Sequence, residues 1–319
     1  MLQKALEYAN TVAIGGHVRP DGDCTGSCMG VYNYIRTWYP EKEVDVYLEE
    51  IPDSFRFLKR TEEISHELKE KKYDLFLSLD CGDSARLGFS EPAFLEARET
   101  LCVDHHISNQ AFGKANCIKP DASSTSELVY ELLEKEKITK EIAECLYLGI
   151  VHDTGVFQYT CTAPETMLAA ADLMRTGIDY SRIISDTYYE KTYAQNRILG
   201  KALLDSRLLM NGQCIVSVLS METMDSYGVV AKDLEGIVSQ LRVTRGVKVA
   251  VFLYELESGE YKVSLRSDSD VDVSRIASSF GGGGHKKAAG VTMKGESSEI
   301  VERLLRAIEG MLSEGQEQV

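Results

Sequence analysis

The sequence predicts an α/β protein in two parts. A mostly parallel sheet builds the N-terminal domain, and a helical connector leads to a smaller α/β C-terminal domain. Three observations predict it. Short apolar runs alternate with helical stretches through the N-terminal half, the pattern of crossover units in a parallel sheet. From Pro164 to Ser206 no strand pattern occurs and the chain reads as helices. A strand-rich region with an evident hairpin, "VKVAVFLYELESGEYKVSLRS", then follows. The length of 319 residues fits about two domains, set at residues 1–190 and 207–319 with a helical linker over 191–206.

Each element has its own signal. "TVAIGG" is a buried strand, and Cys24 to Trp38 a helix entered through a Gly-rich turn. "VDVYLEE", "YDLFLSLD", "ETLCVDHH" and "ANCIK" are the next strands; "YDLFLSLD" is the clearest, a continuous apolar run ending in an acid. Ser124 to Lys137 is a helix opened by a serine/threonine cluster and Glu127, a capping-box pattern. Lys140 to Asp153 is a second helix. The C-terminal domain opens with "QCIVSVLS", turns its hairpin at "ESGE", and closes with "FGGGGHKKAAG" and an amphipathic helix around Ser297 to Leu312.

Composition narrows the function. No uncharged apolar run reaches the roughly 18 residues of a membrane span, and "MLQKALEYAN" lacks a signal peptide's basic-then-apolar order, so a cytoplasmic protein is expected. The eight cysteines are scattered without a CxxC pair and read as reduced thiols. A formal charge of −15, with no basic stripe, argues against a grip on long nucleic acid; a substrate that is an anion is expected to be small and held by a few placed cations.

Ligand-type residues punctuate the strand ends: His17 after the first, Asp80 after the third, Asp104-His105-His106 after the fourth. Asp153 closes a long apolar helix. Ligands of parallel sheets bind beyond the carboxyl ends of the strands. Converging Asp21, Asp23, Asp80, Asp104 and Asp153 would repel one another unless cations were present, which calls for metal. A calcium loop starting at Asp21 has its glycine at position six, Gly26, but places Tyr32 where a bidentate Glu is needed, so it fails. Imidazole mixed with carboxylate favours Mn, Fe, Co or Zn.

"HVRPDGDCTGS", "LSLDCGDSARLG", "VDHHISN" and "GIVHDTGVFQY" resemble the four motifs of the DHH phosphoesterase family in their usual order. "FGGGGHKKAAG" resembles the glycine-rich signature of the DHH-associated C-terminal domain. The resemblance implies two Mn²⁺ ions, with Co²⁺ or Fe²⁺ as substitutes. His17, Asp21 and Asp80 would hold one, and Asp23, Asp80, His105 and Asp153 the other, with Asp80 bridging. It implies hydrolysis by a metal-activated water. Asp80, His106 and Asp104 would form the catalytic group: His106 faces the substrate phosphate and the leaving group, and Asp104 orients a ligand. Substrate binding would fall to His106, Arg266, Gly282, Gly283, Gly284 and His285, the glycines forming a nest for a phosphate.

Within that family the compact two-domain form resembles nano-RNase/pAp-phosphatase proteins. The pyrophosphatases of the family have a different C-terminal domain, the RecJ-type exonucleases are much longer, and the membrane-bound cyclic-di-AMP phosphodiesterases carry transmembrane segments. The resemblance therefore implies release of 5′-mononucleotides from short oligoribonucleotides, and dephosphorylation of 3′-phosphoadenosine-5′-phosphate (pAp). A phosphodiesterase acting on pApA or cyclic-di-AMP is the alternative enzyme, and a nucleotide-sensing protein the non-enzyme alternative. A sensor would be expected to have lost ligands, yet all seven expected positions are filled, counting Asp80 twice. A homodimer is left open.

Overall fold

The computed structural model describes residues 1–267 and 271–314. The chain divides into two units, Met1–Glu190 and Lys191–Val319.

In the first unit, strands β1 (Thr11–Gly15), β2 (Glu43–Tyr47), β3 (Leu75–Leu79), β4 (Glu99–Asp104) and β5 (Ala115–Ile118) form a sheet in the order β2-β1-β3-β4-β5. Every pair is parallel. The chain runs from β1 out to β2, then returns past β1 to β3. The strand order therefore reverses between β1 and β3, the switch point at which open sheets of this order bind ligands. Its helices are α1 (Leu2–Glu7), α2 (Gly22–Trp38), α3 (Glu91–Glu96), α4 (Thr125–Leu132), α5 (Lys140–Asp153), α6 (Pro164–Arg175) and α7 (Tyr180–Ile184).

Alternation along the strands divides the core. Val12, Ile14, Leu75, Leu77 and Leu79 pack with α2 and α5, while Ala13 and Phe76 pack on the other face with Tyr47, Tyr73 and Phe94. Helix α2 is buried from Gly22 through Ile35, so it is a central helix, not a surface one. It lies against α5 through small residues. A Cβ on Gly26 would strike the carbonyl oxygen of Cys145 and lie 2.9 Å from the amide nitrogen of Gly149. This close approach matters because α2 carries Asp23 and α5 ends in Asp153.

The second unit begins with α8 (Tyr193–Leu204), followed by β6 (Arg207–Leu209), β7 (Cys214–Leu219), α9 (Met221–Tyr227), α10 (Ile237–Arg242), β8 (Val249–Glu257), β9 (Glu260–Ser267), α11 (Val273–Ser279), β10 (Gly283–His285), β11 (Ala288–Lys294) and α12 (Ser297–Glu314). Its sheet runs β10-β11-β9-β8-β7-β6, antiparallel except for β7 with β8. Both faces are covered. Val249, Val251 and Leu253 pack with α11 and α12, and Ala250 and Phe252 with α8, α9 and α10. The stretch expected as a connector is thus mostly α8, whose Ile198 and Ala202 are fully buried in the second unit's core.

Local departures from the sequence reading have physical causes. Helix α2 starts two residues earlier than expected, at Gly22, because the Asp21 carboxylate caps it, accepting from the Asp23 and Cys24 amides at 3.1 Å each. Helix α4 stops at Leu132, short of Lys137; Leu133 turns extended and is buried, and a 3₁₀ turn covers Lys135–Lys137. The glycine run is not an open loop throughout, because Gly283–His285 pair with β11 as a strand.

The α2–α5 contact makes a stability prediction. Gly26→Ala is expected to destabilise by about 1–3 kcal/mol, since the added methyl meets backbone that cannot swing away. Gly200→Ala in α8, with nothing within 4 Å of the new methyl, should be neutral or stabilising by up to about 1 kcal/mol. Urea unfolding midpoints check both; equal midpoints would refute the packing account.

Candidate metal centre

The sequence-expected ligands converge at the carboxyl edge of the first sheet. His17 lies two residues beyond β1, Asp80 directly after β3, and Asp104 is the last residue of β4 with His105 and His106 behind it. Asp80 adopts a left-handed conformation, φ 58°, a geometry that aspartate tolerates better than most residues and that ends the strand abruptly. Asp21 and Asp23 do not sit in a loop. Asp21 is the N-cap of α2 and Asp23 lies in its first turn, so the start of a helix, not a tight loop, separates the two carboxylates.

Asp80 is the hub. Its Oδ2 is 3.4 Å from His17 Nε2, and its Oδ1 is 3.7 Å from both His105 Nε2 and His106 Nδ1. His105 Nε2 is also 3.0 Å from Asp153 Oδ2 and 3.9 Å from Asp23 Oδ2. His17 Nε2 is 3.6 Å from Asp21 Oδ1, while its Nδ1 donates to the Val18 carbonyl at 2.9 Å, which aims Nε2 into the centre. Three groups bring their donor atoms within 4.8 Å of one another: Asp23, His105 and Asp153; Asp80, His105 and His106; His17, Cys24 and Asp80. Asp21 belongs to none of these groups, and its side chain is 58% exposed.

Asp104 and His106 form a separate couple. His106 Nδ1 donates to Asp104 Oδ1 at 2.7 Å, and Asn109 Nδ2 donates to Asp104 Oδ2 at 2.7 Å. Both Asp104 oxygens are engaged by side chains outside the expected ligand set, and through Oδ1 Asp104 holds the His106 ring. The pair leaves His106 Nε2 as the free face of that ring.

Electrostatics explain why this arrangement fits cations. Burial pushes the Asp23 carboxyl well up, and Asp80 and Asp153 push it further; burial likewise raises Asp153. Burial pulls His17 down, but the Asp21 and Asp80 carboxylates outweigh it and bring His17 up to about 12. His105 is also raised, because Asp153, Asp23 and Asp80 together overcome its burial. Buried histidines thus hold protons to balance buried acids. A mixed imidazole–carboxylate set of this kind fits divalent transition metals, whose charge can take the place of those protons.

Four residues, Thr125, Ser126, Asn109 and Cys24, carry no role in the sequence reading. Helix α4 points its N-terminus at Asp23: the Thr125 and Ser126 amides donate to the two oxygens at 2.6 and 2.8 Å. The Thr125 hydroxyl donates to Asp80 Oδ1 at 3.0 Å. Asn109 and Cys24 complete the set. The Ser/Thr cluster announces a helix start, but only the fold shows which acid that start receives. His152, next to Asp153, points away, its Nε2 3.0 Å from the Thr187 hydroxyl.

In the second unit, register unites two expected substrate residues. His285 on β10 pairs with Ala288 on β11, which pairs with Arg266 on β9, so the three form one row across the sheet. Side chains in such a row share a face, with the small Ala288 between the larger two. The glycines earn their place sterically: a Cβ at Gly282 or Gly284 would strike a carbonyl oxygen of β11, and Gly284 has φ 145°.

Comparison with known proteins gives consistent findings. The family model for the DHH family, N-terminal domain, matches residues 11–150, and the DHHA1 domain model matches residues 211–314. The bifunctional oligoribonuclease and PAP phosphatase NrnA of Thermus thermophilus is 30% identical, over 96% of this chain and 90% of that protein. The protein of the same name from Bacillus subtilis is 28% identical, over 98% of each. The crystal structure of an exopolyphosphatase-related protein from Bacteroides fragilis superimposes with a TM-score of 0.89 at 28% identity, covering 97% of this chain and 94% of that one.

The protonated histidines make a prediction for metal binding. Adding Mn²⁺ or Co²⁺ to metal-stripped protein near pH 7 should release protons, read as acidification of a weakly buffered solution. Because the folded histidines hold their protons above the ordinary value of about 6.5, the apparent metal affinity should climb as pH rises above it. Binding without proton release would contradict this balance.

Proposed function

The chain belongs to the DHH family and carries a C-terminal DHHA1 domain, and on that premise we propose that it hydrolyses short oligoribonucleotides to 5′-mononucleotides and pAp to AMP. The observation that carries this reading is the convergence of His17, Asp23, Asp80, His105 and Asp153 at the sheet's switch point. The names of the Thermus and Bacillus relatives, which align along nearly the whole chain, support the substrate class. In this reading residues 1–190 catalyse, and residues 207–319, reached through the helix within 191–206, bind substrate.

His17, Asp21 and Asp80 would hold one Mn²⁺, and Asp23, Asp80, His105 and Asp153 a second. When bound, such a pair of ions supplies an acidified water and neutralises phosphate charge. The chain's own groups do the rest. Asp104 and Asn109 fix the His106 ring, so its Nε2 faces the phosphoester and gives a proton to the leaving oxygen. Thr125 and the α4 N-terminus hold Asp80 and Asp23 in place. Arg266 and His285, on one row of the second sheet, and the Gly282–Gly284 backbone grip the substrate's terminal phosphate. The net charge of −15 suits an enzyme for short substrates, which need no basic track. Among the described residues no helix is long and apolar enough to cross a membrane. The cysteines are unpaired, which fits a reducing cytoplasm.

A substrate panel tests this reading with purified protein and Mn²⁺: pAp, pApA, cyclic-di-AMP, pyrophosphate, and RNAs from dinucleotides upward. Dinucleotides and pAp should be turned over best; exclusive cleavage of pyrophosphate or of cyclic-di-AMP would refute the substrate assignment. Asp80→Ala should abolish turnover. His106→Ala should lower kcat by about 10²- to 10⁴-fold, the usual contribution of a placed acid. Arg266→Ala should act chiefly on KM.

A further inference from the structure

Beyond Asp153 the chain makes a turn that an ordinary loop would avoid. Gly155, Val156 and Phe157 take left-handed angles in succession, with φ 56°, 57° and 64°. Such geometry is costly for a β-branched or bulky side chain and persists where the surroundings over-determine it. Thr154 does so here. Its hydroxyl donates to the Ile150 carbonyl at 2.6 Å and accepts from the Phe157 amide at 3.0 Å, and its carbonyl accepts from the Gln158 and Tyr159 amides at 2.9 Å each. Val156 and Phe157 meanwhile pack on the main core.

The turn lays the Tyr159 ring across Gly155. A Cβ at Gly155 would fall 2.6 and 2.7 Å from the ring's Cε1 and Cε2. One face of the ring is therefore covered by a residue two positions from Asp153, yet Tyr159 remains 51% exposed. Its hydroxyl lies 3.4 Å from that of Tyr188. Tyr188 stands edge-on to Tyr189 at 5.2 Å and to His152 at 5.6 Å, and His152 stands edge-on to Phe55 at 5.1 Å. Gly22, between Asp21 and Asp23, packs against the His152 ring so closely that any Cβ there would collide with it. The aromatic chain is thus rooted beside three of the acids of the candidate centre. Tyr188 and Tyr189 themselves sit on a π-helical turn, Ser185–Tyr189, a rare form frequently found at functional sites.

We propose that Tyr159 is a stacking platform for one nucleobase of the substrate, with Tyr188 and His152 as its buttress. The proposal rests on the phosphodiesterase reading above and adds to it the part of the substrate that this face recognises. The occupant follows from chemistry. A substrate group that reaches Tyr159 from a phosphate held beside Asp153 meets a half-exposed aromatic ring, which suits a flat base. Neither 152–163 nor 185–190 contains a Lys or Arg, so neither of these segments supplies a cation for a second phosphate. Stacking is largely indifferent to base identity, so such a platform accepts any of the bases.

The test uses Mn²⁺-loaded protein and a non-hydrolysable methylenephosphonate dinucleotide containing 2-aminopurine, whose fluorescence is quenched when it stacks. Wild-type protein should quench it at saturation. Tyr159→Leu should bind about tenfold more weakly and lose the quenching, as the loss of one stacked base predicts. Tyr159→Phe keeps the ring without the hydroxyl and should retain both, separating stacking from the Tyr188 contact and from a folding defect. Unaltered quenching in Tyr159→Leu, or none in wild type, would overturn the platform. Hydrolysis of an abasic dinucleotide by the wild type reports the phosphodiesterase reading separately. Cleavage without quenching in wild type would refute the stacking alone, and absence of any diester cleavage would remove both.

Discussion

Negative charge cannot be buried alone, and the first unit is organised around that cost. Asp23, Asp80 and Asp104 are all withdrawn from solvent near the end of one sheet. Each is answered differently. Asp104 receives His106 and Asn109 and is thereby spent as a positioning group. Asp23 receives two amides from the positive end of α4. Asp80 has the Thr125 hydroxyl and nearby His17, His105 and His106, a less complete answer for the most central acid. The remaining demand for positive charge is what distinguishes this cluster from a set of satisfied core acids.

The sheet order supplies the rest of the logic. Because the chain reverses direction of travel between β1 and β3, their carboxyl ends open onto a crevice instead of being roofed by one crossover. His17 and Asp80 stand on its two sides. The α2–α5 contact through Gly26 and Gly149 then fixes the spacing of Asp23 and Asp153, which belong to different helices. Packing far from solvent thus sets distances between groups that must meet at the surface of the crevice.

Much of this was legible in the residues. The strands of the first sheet, the acids at their ends and the hairpin of the second unit all have patterns of period and punctuation that survive without coordinates. What was not legible depends on partners distant in sequence. Asn109 and Thr125 stand in stretches that read as motif tail and helix cap; their acids, Asp104 and Asp80, are chosen by the fold. The start of α2 at Gly22 is not legible because Gly22 is a poor helix former and the Asp21 cap that compensates for it is recognised only from its amide contacts. The three-residue strands β6 and β10 are too short to show a period, and the glycines of β10 read as loop. The left-handed run after Asp153 has no sequence signal at all at Val156 and Phe157, since such residues ordinarily refuse it.

The brevity of β10 carries a consequence for the behaviour of the protein in solution. It is the terminal strand of its sheet and all three of its residues are exposed, so its outer backbone is a free edge of the kind that templates self-association. Three residues offer few amides to an incoming strand, and the turn that follows places Lys286 and Lys287 at its end. The same short hairpin that displays His285 therefore gives an incoming strand little backbone to pair with.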